Sequence, residues 1–514
     1  MKRHIRIGYI GRNKSWEQVL GQIGASWDRV NPGRPIPFED YSCIIVDRSM
    51  NRAEYTHVSN YLQKEGAIID TTGTFCSSSV QRQFISTITP NPEDPLFGHI
   101  DEVPVHCVSY SIDSSARLNG TVWFDPSPGR NMAFCGLPID QLWSEFKTAH
   151  RPFGSTTTAL TAERISQRQS RPYVDVVLTL LRALHDKSGL PFVHKWWHPD
   201  SNKLAATCRI DSDYAPLDTI KLLSDSAREL DIPLSWFLHT SHHEPHLKDL
   251  IELLPDTDEV ALHCYRHYEY STSEQYRSDI HEGLRLLNTY GVWPAGYAAP
   301  YGCWSKPLAD ALTSFSFEYT SEFGYDFDSL PSTAHASGIL QLPVHPVSIG
   351  SFSRFMADQS HIQSYFQQVA DKKYLTHLPL HLYHHPNDCE PVRFADLLKL
   401  FDRDNYHWMT YSDWSNWWNK RVSKAINVRY DTKTGQLHLT KSSTGSIPIA
   451  IHQHSGLHVT VSDEPTLQLE ELPFRPYIDP ELKSIAEKRI NESGLSWFRL
   501  KKDQWLTHLW RNRA

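Results

Sequence analysis

The sequence predicts an α/β protein, an irregular seven-stranded (β/α) barrel with an N-terminal three-layer α/β domain and a C-terminal antiparallel β domain. From residue 204 onward, seven apolar, β-rich runs alternate with helical stretches, which is typical of parallel sheets. The first 90 residues alternate strand and helix in the same way. After Trp418 short runs alternate apolar and polar residues, with Gly, Asp and Ser between them, as in antiparallel sheets.

The N-terminal domain is predicted over residues 1–94. IRIGYIG, YSCIIVD and GAIIDTT have the composition of strands, and SWEQVLGQIG and RAEYTHVSNYLQKEG that of helices. This βαβαβ order predicts a flavodoxin- or Rossmann-like domain. The segment GYIGRN lacks the G-x-G-x-x-G spacing, so we favour a structural or oligomerisation role over dinucleotide binding.

Four further parts follow along the chain. Residues 95–194 are predicted to form a β-rich connecting region and a helix that ends at Gly189. The barrel is predicted over 195–420, the small antiparallel β domain over 421–475, and a helical C-terminal tail over 476–514. The seven barrel strands are predicted at LAATCRID, PLSWFLHT, EVALHCY, AGYAAPY, FEYTSEF, ILQLPVHPV and LPLHLYHH.

Composition excludes several classes of partner. A formal net charge of −8 argues against a surface for nucleic acid or anionic membranes. No stretch approaches the ~20 apolar residues of a membrane-spanning helix, and the N-terminus lacks the apolar segment of a signal peptide. We therefore expect a cytoplasmic protein without membrane insertion. A homo-oligomer remains open.

The eight cysteines form no C-x-x-C pair, which favours reduced thiols in a cytosolic protein. Four of them lie beside the polar motifs described next. Small apolar filling is our preferred interpretation, and metal ligation is the alternative. These four are Cys208, Cys264, Cys303 and Cys389.

Polar residues follow the carboxyl ends of several predicted barrel strands, where such barrels place their active sites. The first strand ends RIDSD, the third LHCYRH, the fourth AAPYG and the seventh HLYHHPND. We expect the polar residues of these segments to lie around one rim. They are Asp211, Asp213, His263, His267, Tyr301, His384, His385 and Asp388.

His263 and His267 are the clearest indication of a metal site in the sequence. Two imidazoles four residues apart can face the same way and bind one cation if the chain turns helically after the strand. An aspartate from the first strand would supply the oxygen ligand. The alternative is chance, because the chain has 28 histidines and an H-x-x-x-H spacing recurs easily.

Two aspartates suit a metal-dependent hydrolase, because binding the metal and accepting a proton are tasks that conflict for a single carboxylate. One carboxylate must stay on the cation, while the other accepts a proton from an activated water. A histidine opposite can protonate the leaving amine, because its pKa lies in the working range. The alternatives are helix capping for Asp211 and Asp213, and a buried structural histidine for His385.

In order and spacing these motifs resemble the polysaccharide deacetylases of carbohydrate esterase family four, the NodB-homology domain, over residues 195–420. RIDSD resembles the Asp-pair motif in its Asp-x-Asp variant, as in the lipid-linked aminoarabinose deformylases. HCYRH resembles H-[ST]-x-x-H with Cys264 at the Ser/Thr position. GYAAPYG resembles G-[FY]-R-x-P-Y-G, and LHLYHHP resembles the late Leu-x-x-His motif.

The resemblance implies a role for each residue. Asp211 would be the general base, and Asp213, His263 and His267 would hold the metal. Tyr301 would give a backbone N–H to the oxyanion, and His385 would be the general acid. Asp211 and Asp213 could exchange roles. His384 competes with His385, which we prefer because a His-Pro pair recurs in the family and adjacent strand residues face opposite ways.

One position departs from the family pattern. The arginine that precedes Pro-Tyr in the family, and that orients the catalytic Asp, is Ala298 here. Arg209 and Arg266 are the nearby residues that could substitute for it. Without a substitute, the base loses the cation that keeps it ionised, and an inactive carbohydrate-binding relative becomes the alternative.

Aromatic residues around the predicted rim are candidates for stacking on a sugar ring. Trp304, Tyr265, Tyr268 and Phe323 are the main ones, with His345 as a further candidate for substrate contact. Core packing is the alternative for each, because the chain is rich in aromatics.

These features predict a metal-dependent hydrolase that removes the N-acetyl group of an amino sugar in a saccharide or its nucleotide- or lipid-linked precursor. Zinc is the first choice for a site of one Asp and two His, with other divalent ions open. The alternatives are deformylation or ester hydrolysis, an inactive sugar-binding relative, and an allantoinase-like amidohydrolase.

Overall fold

The computed structural model describes residues 2–477 except 77–78, 113–116, 144–146, 155–158, 335, 354–358, 389–390, 402–403, 441–446, 455 and 462–463. The predicted C-terminal tail, from residue 478 onward, lies outside the described residues, as does Cys389. Among the described helices, none combines the length and apolar character needed to cross a lipid bilayer.

The first part of the chain, to residue 202, contains three helices and twelve strands within the described ranges. The helices are α1 (Lys14–Ile23), α2 (Arg52–Gln63) and α3 (Arg171–Lys187). The strands are β1 (Lys2–His4), β2 (Ile7–Ile10), β3 (Trp27–Arg29), β4 (Cys43–Val46), β5 (Ala67–Asp70), β6 (Gln81–Ile88), β7 (Val103–Ser111), β8 (Val122–Phe124), β9 (Met132–Cys135), β10 (Thr148–Gly154), β11 (Ala159–Ser166) and β12 (Phe192–Lys195).

The second part holds the remaining elements of the described residues. The helices are α4 (Leu217–Arg228), α5 (Thr240–His243), α6 (Leu247–Leu253), α7 (Ser273–Thr289), α8 (Lys306–Leu312), α9 (Gly350–Ser353), α10 (Gln359–Leu375), α11 (Pro391–Leu398) and α12 (Tyr411–Ser423). The strands are β13 (Leu204–Asp211), β14 (Ser235–His239), β15 (Glu259–Cys264), β16 (Gly296–Tyr297), β17 (Tyr319–Thr320), β18 (Ser332–Thr333), β19 (Leu340–Gln341), β20 (Leu380–His384), β21 (Tyr406–Trp408), β22 (Val428–Asp431), β23 (Gln436–Leu439), β24 (Ile449–Gln453), β25 (Gly456–Thr460), β26 (Thr466–Gln468) and β27 (Arg475–Pro476).

The chain forms two compact units. Among the described residues, the first unit comprises 2–143, 170–202 and 419–477, and the second comprises 147–169 and 203–418. Both units are therefore built from segments that are distant in sequence. The five-part division predicted from the sequence stays a prediction.

The first unit contains the βαβαβ pattern of the N-terminal sequence. Its largest sheet has the order β3-β2-β4-β5-β9-β8, in which β2 to β5 and β9 pair in parallel and β8 pairs antiparallel with β9. The sheet thus includes strands from beyond residue 94. Ile44, Val46 and Ile68 of the sheet form one core with Val58 and Leu62 of α2.

Besides the two-stranded sheet of β6 and β7, the first unit contains two four-stranded antiparallel sheets. Their orders are β1-β22-β23-β26 and β12-β24-β25-β27, so the C-terminal strands pair with strands from the beginning and middle of the chain. The five alternating runs after Trp418 each contain one strand, from β22 to β26 in order. The runs are KAINVRYD, GQLHLTKS, SIPIAIHQH, GLHVTVSD and TLQLEEL. The predicted single five-stranded domain is replaced by these two sheets, which enclose a common core.

The second unit contains a nine-stranded sheet of order β18-β19-β17-β16-β15-β14-β13-β20, with β21 paired to β13. All pairs are parallel except β18 with β19. The seven strands from β19 to β20 in this order fall in the seven predicted runs. The predicted α/β class is confirmed.

The sheet of the second unit curls into a half-barrel. The backbone N–H of His345, four residues beyond β19, donates to the carbonyl of His381 in β20 at 2.8 Å, which links the two ends of the parallel part. A closed seven-stranded barrel stays a prediction. The described sheet has nine strands, and this backbone hydrogen bond, rather than a described pairing of strands, links β19 to β20. β13 is buried along its whole length, as expected for a central parallel strand.

Candidate metal centre

Asp213, His263 and His267 converge on one point at the carboxyl ends of β13 and β15. Asp213 lies two residues after β13, His263 lies within β15 and His267 three residues after it. Oδ1 of Asp213 is 3.4 Å from Nε2 of His263 and 3.4 Å from Nε2 of His267. The three ligand atoms lie within 4.8 Å of one another. The sequence prediction that these side chains would meet agrees with this arrangement.

The donor set fits a small divalent cation. A tetrahedral site with bonds of 2.0–2.2 Å separates neighbouring ligand atoms by about 3.3 Å, close to the two distances above. Oδ1 of Asp213 is also buried and accepts no hydrogen bond from any described residue. A buried carboxylate oxygen without a hydrogen bond is costly unless a cation or proton compensates it. The site is therefore suited to a metal.

His263 is held in the tautomer that a metal requires. Its Nδ1 lies 2.8 Å from the backbone carbonyl of Ala298. Because a carbonyl only accepts, Nδ1 must carry the proton, which leaves the lone pair of Nε2 pointing toward Asp213. The residue that replaces the family arginine therefore contributes its main chain to the site.

The loop that carries His267 is fixed by a buried acid of α7. Asp279 accepts hydrogen bonds from the backbone N–H groups of Tyr265 and Arg266, at 3.0 and 2.9 Å, and from the hydroxyl of Tyr270 at 2.8 Å. These bonds hold the turn after β15. They also explain why His263 and His267 face the same point.

Ser212 and two further histidines fix the loop of Asp213. The Ser212 hydroxyl accepts the His239 backbone N–H at 3.0 Å and lies 3.1 Å from Nε2 of His243. Nδ1 of His239 lies 3.1 Å from the carbonyl of Asp213, to which it donates. Asp213 has a φ of 39°, a conformation uncommon for L residues. The surrounding bonds stabilise it there.

Asp211 is paired with Arg209 and takes no part in the cluster of three ligands. The guanidinium contacts both carboxylate oxygens at 2.6 Å, and both side chains are buried. Arg209 also donates to the carbonyl of Ser321. Burial opposes ionisation of Asp211, but the charge and hydrogen bonds of Arg209, together with the nearby His263 and His385, outweigh burial and hold the pKa of this carboxyl below its usual value.

Arg266, the second residue considered as a substitute for the missing arginine, is exposed and lies over the Tyr265 ring at 5.6 Å. Its contact with Asp279 is through the backbone. Of the two candidates, Arg209 is thus the one that contacts Asp211.

His385 lies across the centre from the other histidines. Its Nε2 is 3.7 Å from Oδ2 of Asp213, and its Nδ1 is 3.3 Å from Oδ2 of Asp388. Burial lowers the pKa of His385, but the carboxylates of Asp388, Asp213 and Asp211 outweigh burial and raise the pKa to about 9. A cation on Asp213 would weaken that pull and bring the pKa back toward neutrality.

His384 points into the protein interior. Its Nδ1 accepts the backbone N–H of Ile349 at 3.1 Å, and its ring contacts those of Phe366 and Phe394. Burial lowers the pKa of His384 to about 3, so the ring is neutral. Alternation along the chain therefore leaves His385 as the histidine that faces the centre.

Tyr301 sits in a strained turn after β16. Its φ is 61° and its ψ is 16°. No described residue accepts a hydrogen bond from its backbone N–H. The following residue, Gly302, also has a positive φ, and a side chain there would collide with the Phe323 ring. The turn thus leaves a backbone donor unpaired beside His267, whose ring centre is 4.7 Å from that of Tyr301.

The residues predicted to line a substrate groove divide into two groups. Trp304, Phe323 and His345 are buried. Phe323 belongs to a core cluster, and Nδ1 of His345 lies 2.7 Å from Asp328. Burial removes these three as open surfaces for a sugar, because their contacts are with the protein. Tyr265 is half-buried and Tyr268 is exposed.

Several contributors were not assigned from the sequence. Asp279, Ser212 and His239 act through bonds that only the folded chain creates. The seven described cysteines form no disulfide with one another, and the metal-ligating group found among the described residues contains none of them. In the sequence, the signal available for Ser212 was its place between the two aspartates.

Comparison with solved structures finds polysaccharide deacetylases, a CE4 family pseudoenzyme and an allantoinase. The chain is similar to a protein described as a polysaccharide deacetylase from Mycobacterium smegmatis, with 16% identity and a TM-score of 0.37 over 43% of this chain and 92% of that chain. A CE4 family pseudoenzyme from Bacillus anthracis matches with 13% identity and a TM-score of 0.32 over 42% of this chain and 66% of that one. PuuE allantoinase matches with 14% identity and a TM-score of 0.35 over 43% and 92%.

No protein-family profile matches the chain, and no curated protein sequence matches it. One of the matched structures, the pseudoenzyme, is described as a member of the CE4 family. The matched structures include a deacetylase and a pseudoenzyme, and they cover less than half of this chain. Activity therefore has to be argued from the geometry of the site.

Proposed function

We propose that the second unit is a metal-dependent hydrolase that removes the N-acetyl group of an amino sugar. The observation that supports this most directly is the convergence of Asp213, His263 and His267 within 4.8 Å. A cation bound by these side chains, zinc by preference, would supply Lewis acidity that polarises an amide carbonyl and acidifies a water molecule. The other groups of the centre match the remaining tasks of amide hydrolysis.

The general base of this reaction is Asp211. Its ionised carboxylate accepts the proton of the attacking water while the water oxygen bonds to the carbonyl carbon. Arg209 holds both carboxylate oxygens in place, and each oxygen keeps a second lone pair for the proton. The backbone N–H of Tyr301 donates to the oxygen on which negative charge develops.

His385 is the general acid. Its Nε2 faces Asp213, and its Nδ1 is held by Asp388. Nε2 gives its proton to the amine nitrogen as the carbon–nitrogen bond breaks, which releases acetate and the free amino sugar. Asp388, which does not belong to the metal-ligating group, raises the pKa of this ring and favours its protonated form.

An inactive carbohydrate-binding relative was the main alternative, because Ala298 replaces the family arginine. Arg209 weakens that alternative, because its guanidinium, which comes from β13, pairs with Asp211 in place of the missing arginine. A saccharide, free or carried by a nucleotide or lipid in the cytoplasm, is the substrate class that we propose. Formyl and ester substrates are distinguished from acetamides by the assay below.

The test measures acetate and formate release from N-acetylated and N-formylated glucosamine oligosaccharides by metal-free and zinc-loaded protein. We expect zinc-dependent acetate release, lowered roughly 10²–10⁴-fold in Asp211→Asn and His385→Ala. His281→Ala, at an exposed histidine, should retain full activity. Full turnover by Asp211→Asn and His385→Ala would contradict the assignment, and formate release alone would change the acyl group.

A further inference from the structure

We infer that the rings of Tyr214 and Tyr301 form the surface that holds the sugar ring of the substrate beside the metal centre. This inference rests on the proposed function and deepens it, because it assigns the sugar to two exposed aromatic side chains. Neither ring was assigned to substrate contact by the sequence motifs. Tyr301 was expected to contribute through its backbone alone.

Both rings border the metal-ligating residues. The centre of the Tyr214 ring lies 5.9 Å from that of His267, and the centre of the Tyr301 ring lies 4.7 Å from it. Tyr214 also contacts the ring of His239 at 4.9 Å. Both side chains therefore lie next to the residues that would hold the cation.

Both rings are also open to solvent, in contrast to two of the aromatic residues predicted for the groove. Tyr214 is 55% exposed and Tyr301 is 60% exposed, whereas Trp304 and Phe323 are buried. Their hydroxyl groups form no hydrogen bond with any described residue. They therefore offer an apolar face and a polar edge, which matches the C–H face and the hydroxyl groups of a pyranose.

Backbone strain accompanies this exposure. Tyr301 adopts a φ of 61°, and Tyr214 directly follows Asp213, which has a φ of 39°. Such conformations are unfavourable for a residue with a side chain. Strain of this kind persists mainly at functional sites. Here the two strained residues are Tyr301, which carries one of the two rings, and Asp213, which is one of the metal-ligating residues.

Tyr268, the exposed aromatic residue predicted from the sequence, is a weaker candidate. Its ring contacts Tyr270 at 5.2 Å. Among the described ring contacts, the metal-ligating His267 contacts Tyr214 and Tyr301 but not Tyr268. Tyr268 is therefore placed further along the loop that follows β15.

The experiment compares a saccharide with a sugar-free substrate. Zinc-loaded Tyr214→Ala and Tyr301→Ala are assayed with an N-acetylglucosamine oligosaccharide and with 4-nitrophenyl acetate. We expect KM for the saccharide to rise about tenfold in each, in line with the energy of aromatic contacts. The rate of Tyr214→Ala with 4-nitrophenyl acetate should stay within about twofold of wild type, since the metal ligands and the backbone of Tyr301 are intact.

Two controls separate ring contact from structural effects. Tyr214→Phe and Tyr301→Phe keep the ring and should retain most saccharide affinity. Tyr290→Ala removes another exposed tyrosine, which lies just past the far end of α7, and should alter the activity with neither substrate. Unchanged saccharide KM in both alanine variants would overturn the inference while leaving the proposed hydrolase intact.

Binding to metal-free protein covers the case in which no hydrolysis is found. Calorimetric titration with the same oligosaccharide should then show binding that weakens in Tyr214→Ala and Tyr301→Ala. Binding with this pattern but without turnover supports the ring assignment and contradicts the proposed function. An absence of binding to the wild-type protein overturns the ring assignment.

Discussion

Among single residues, Arg209 and Asp211 form the pair on which the proposed chemistry depends. They are two residues apart on β13, both buried, and joined by two contacts of 2.6 Å. Alternation along a strand places residues i and i+2 on the same face. A cation and a base can therefore come from one strand, which compensates for the alanine at position 298.

Loss of the Arg209 charge is expected to destabilise the fold. Arg209→Met leaves a buried, unpaired carboxylate, which costs about 3–5 kcal/mol in the free energy of unfolding. The double variant Arg209→Met/Asp211→Asn should recover part of this loss, because no charge is then left unpaired. Urea unfolding measures both values.

An exposed pair provides the control for this prediction. Lys306 and Asp310 lie 2.8 Å apart on the surface of α8. Lys306→Met should change stability by less than about 1 kcal/mol. Equal stability of Arg209→Met and the wild-type protein would mean that the buried pair is not formed as described.

The pH dependence of activity should depend on Asp388. His385 must be protonated to act as the acid, so activity falls as pH rises through its pKa. Asp388 raises that pKa, and Asp388→Asn should therefore move the alkaline limb of kcat/KM to lower pH. The measurement is kcat/KM against pH for both proteins, with Asp310→Asn as an exposed control. An unmoved limb would exclude His385 as the group that titrates.

Among the secondary-structure elements, α7 has the clearest influence on the site. Asp279 on this helix binds two successive N–H groups of the turn that carries His267. We expect Asp279→Ala to lower zinc affinity roughly 10–100-fold, the range typical of residues that support metal ligands. Competition with a zinc chelator measures the affinity.

A neighbouring acid on the same helix gives the matched control. Glu282 lies on the exposed surface of α7 and pairs with Arg285 at 2.8 Å. Glu282→Ala should leave zinc affinity unchanged. If Asp279→Ala bound zinc as tightly as this control, the turn would not need the helix for its conformation.

The strands of the second unit could be predicted because each is marked by an apolar run within a short stretch of sequence. Apolar runs such as LAATCRID fix where a parallel strand lies, and polar residues after it then fall at the carboxyl edge of the sheet. The bonds of Asp279 were not predictable, because they join residues through the fold. The burial of Trp304 and Phe323 was missed for the same reason, since composition does not reveal which face of a loop packs inward.

In the whole molecule, the chain returns twice to complete its first unit. β1 pairs with β22 and β12 pairs with β24, so strands that are hundreds of residues apart share sheets. Alternating patterns predicted the C-terminal strands but contained no information on these partners. The predicted independent C-terminal sheet therefore became two sheets.

Metal binding should stabilise the second unit selectively. A ligand at 100 times its Kd adds about 2.7 kcal/mol to the stability of the state that binds it. Hydrogen exchange with and without zinc should show added protection within 203–418, foremost after β13 and β15. Equal protection in 2–135 would contradict a centre confined to the second unit.

Zinc titration of metal-free protein tests the central claim most directly. Calorimetry on the wild-type chain and on Asp213→Ala reports how many ions bind and whether this carboxylate holds them. We predict one zinc ion per chain in the wild type and a loss of that binding in the variant. No zinc binding by the wild-type chain, or undiminished binding by Asp213→Ala, would contradict a centre formed by Asp213, His263 and His267.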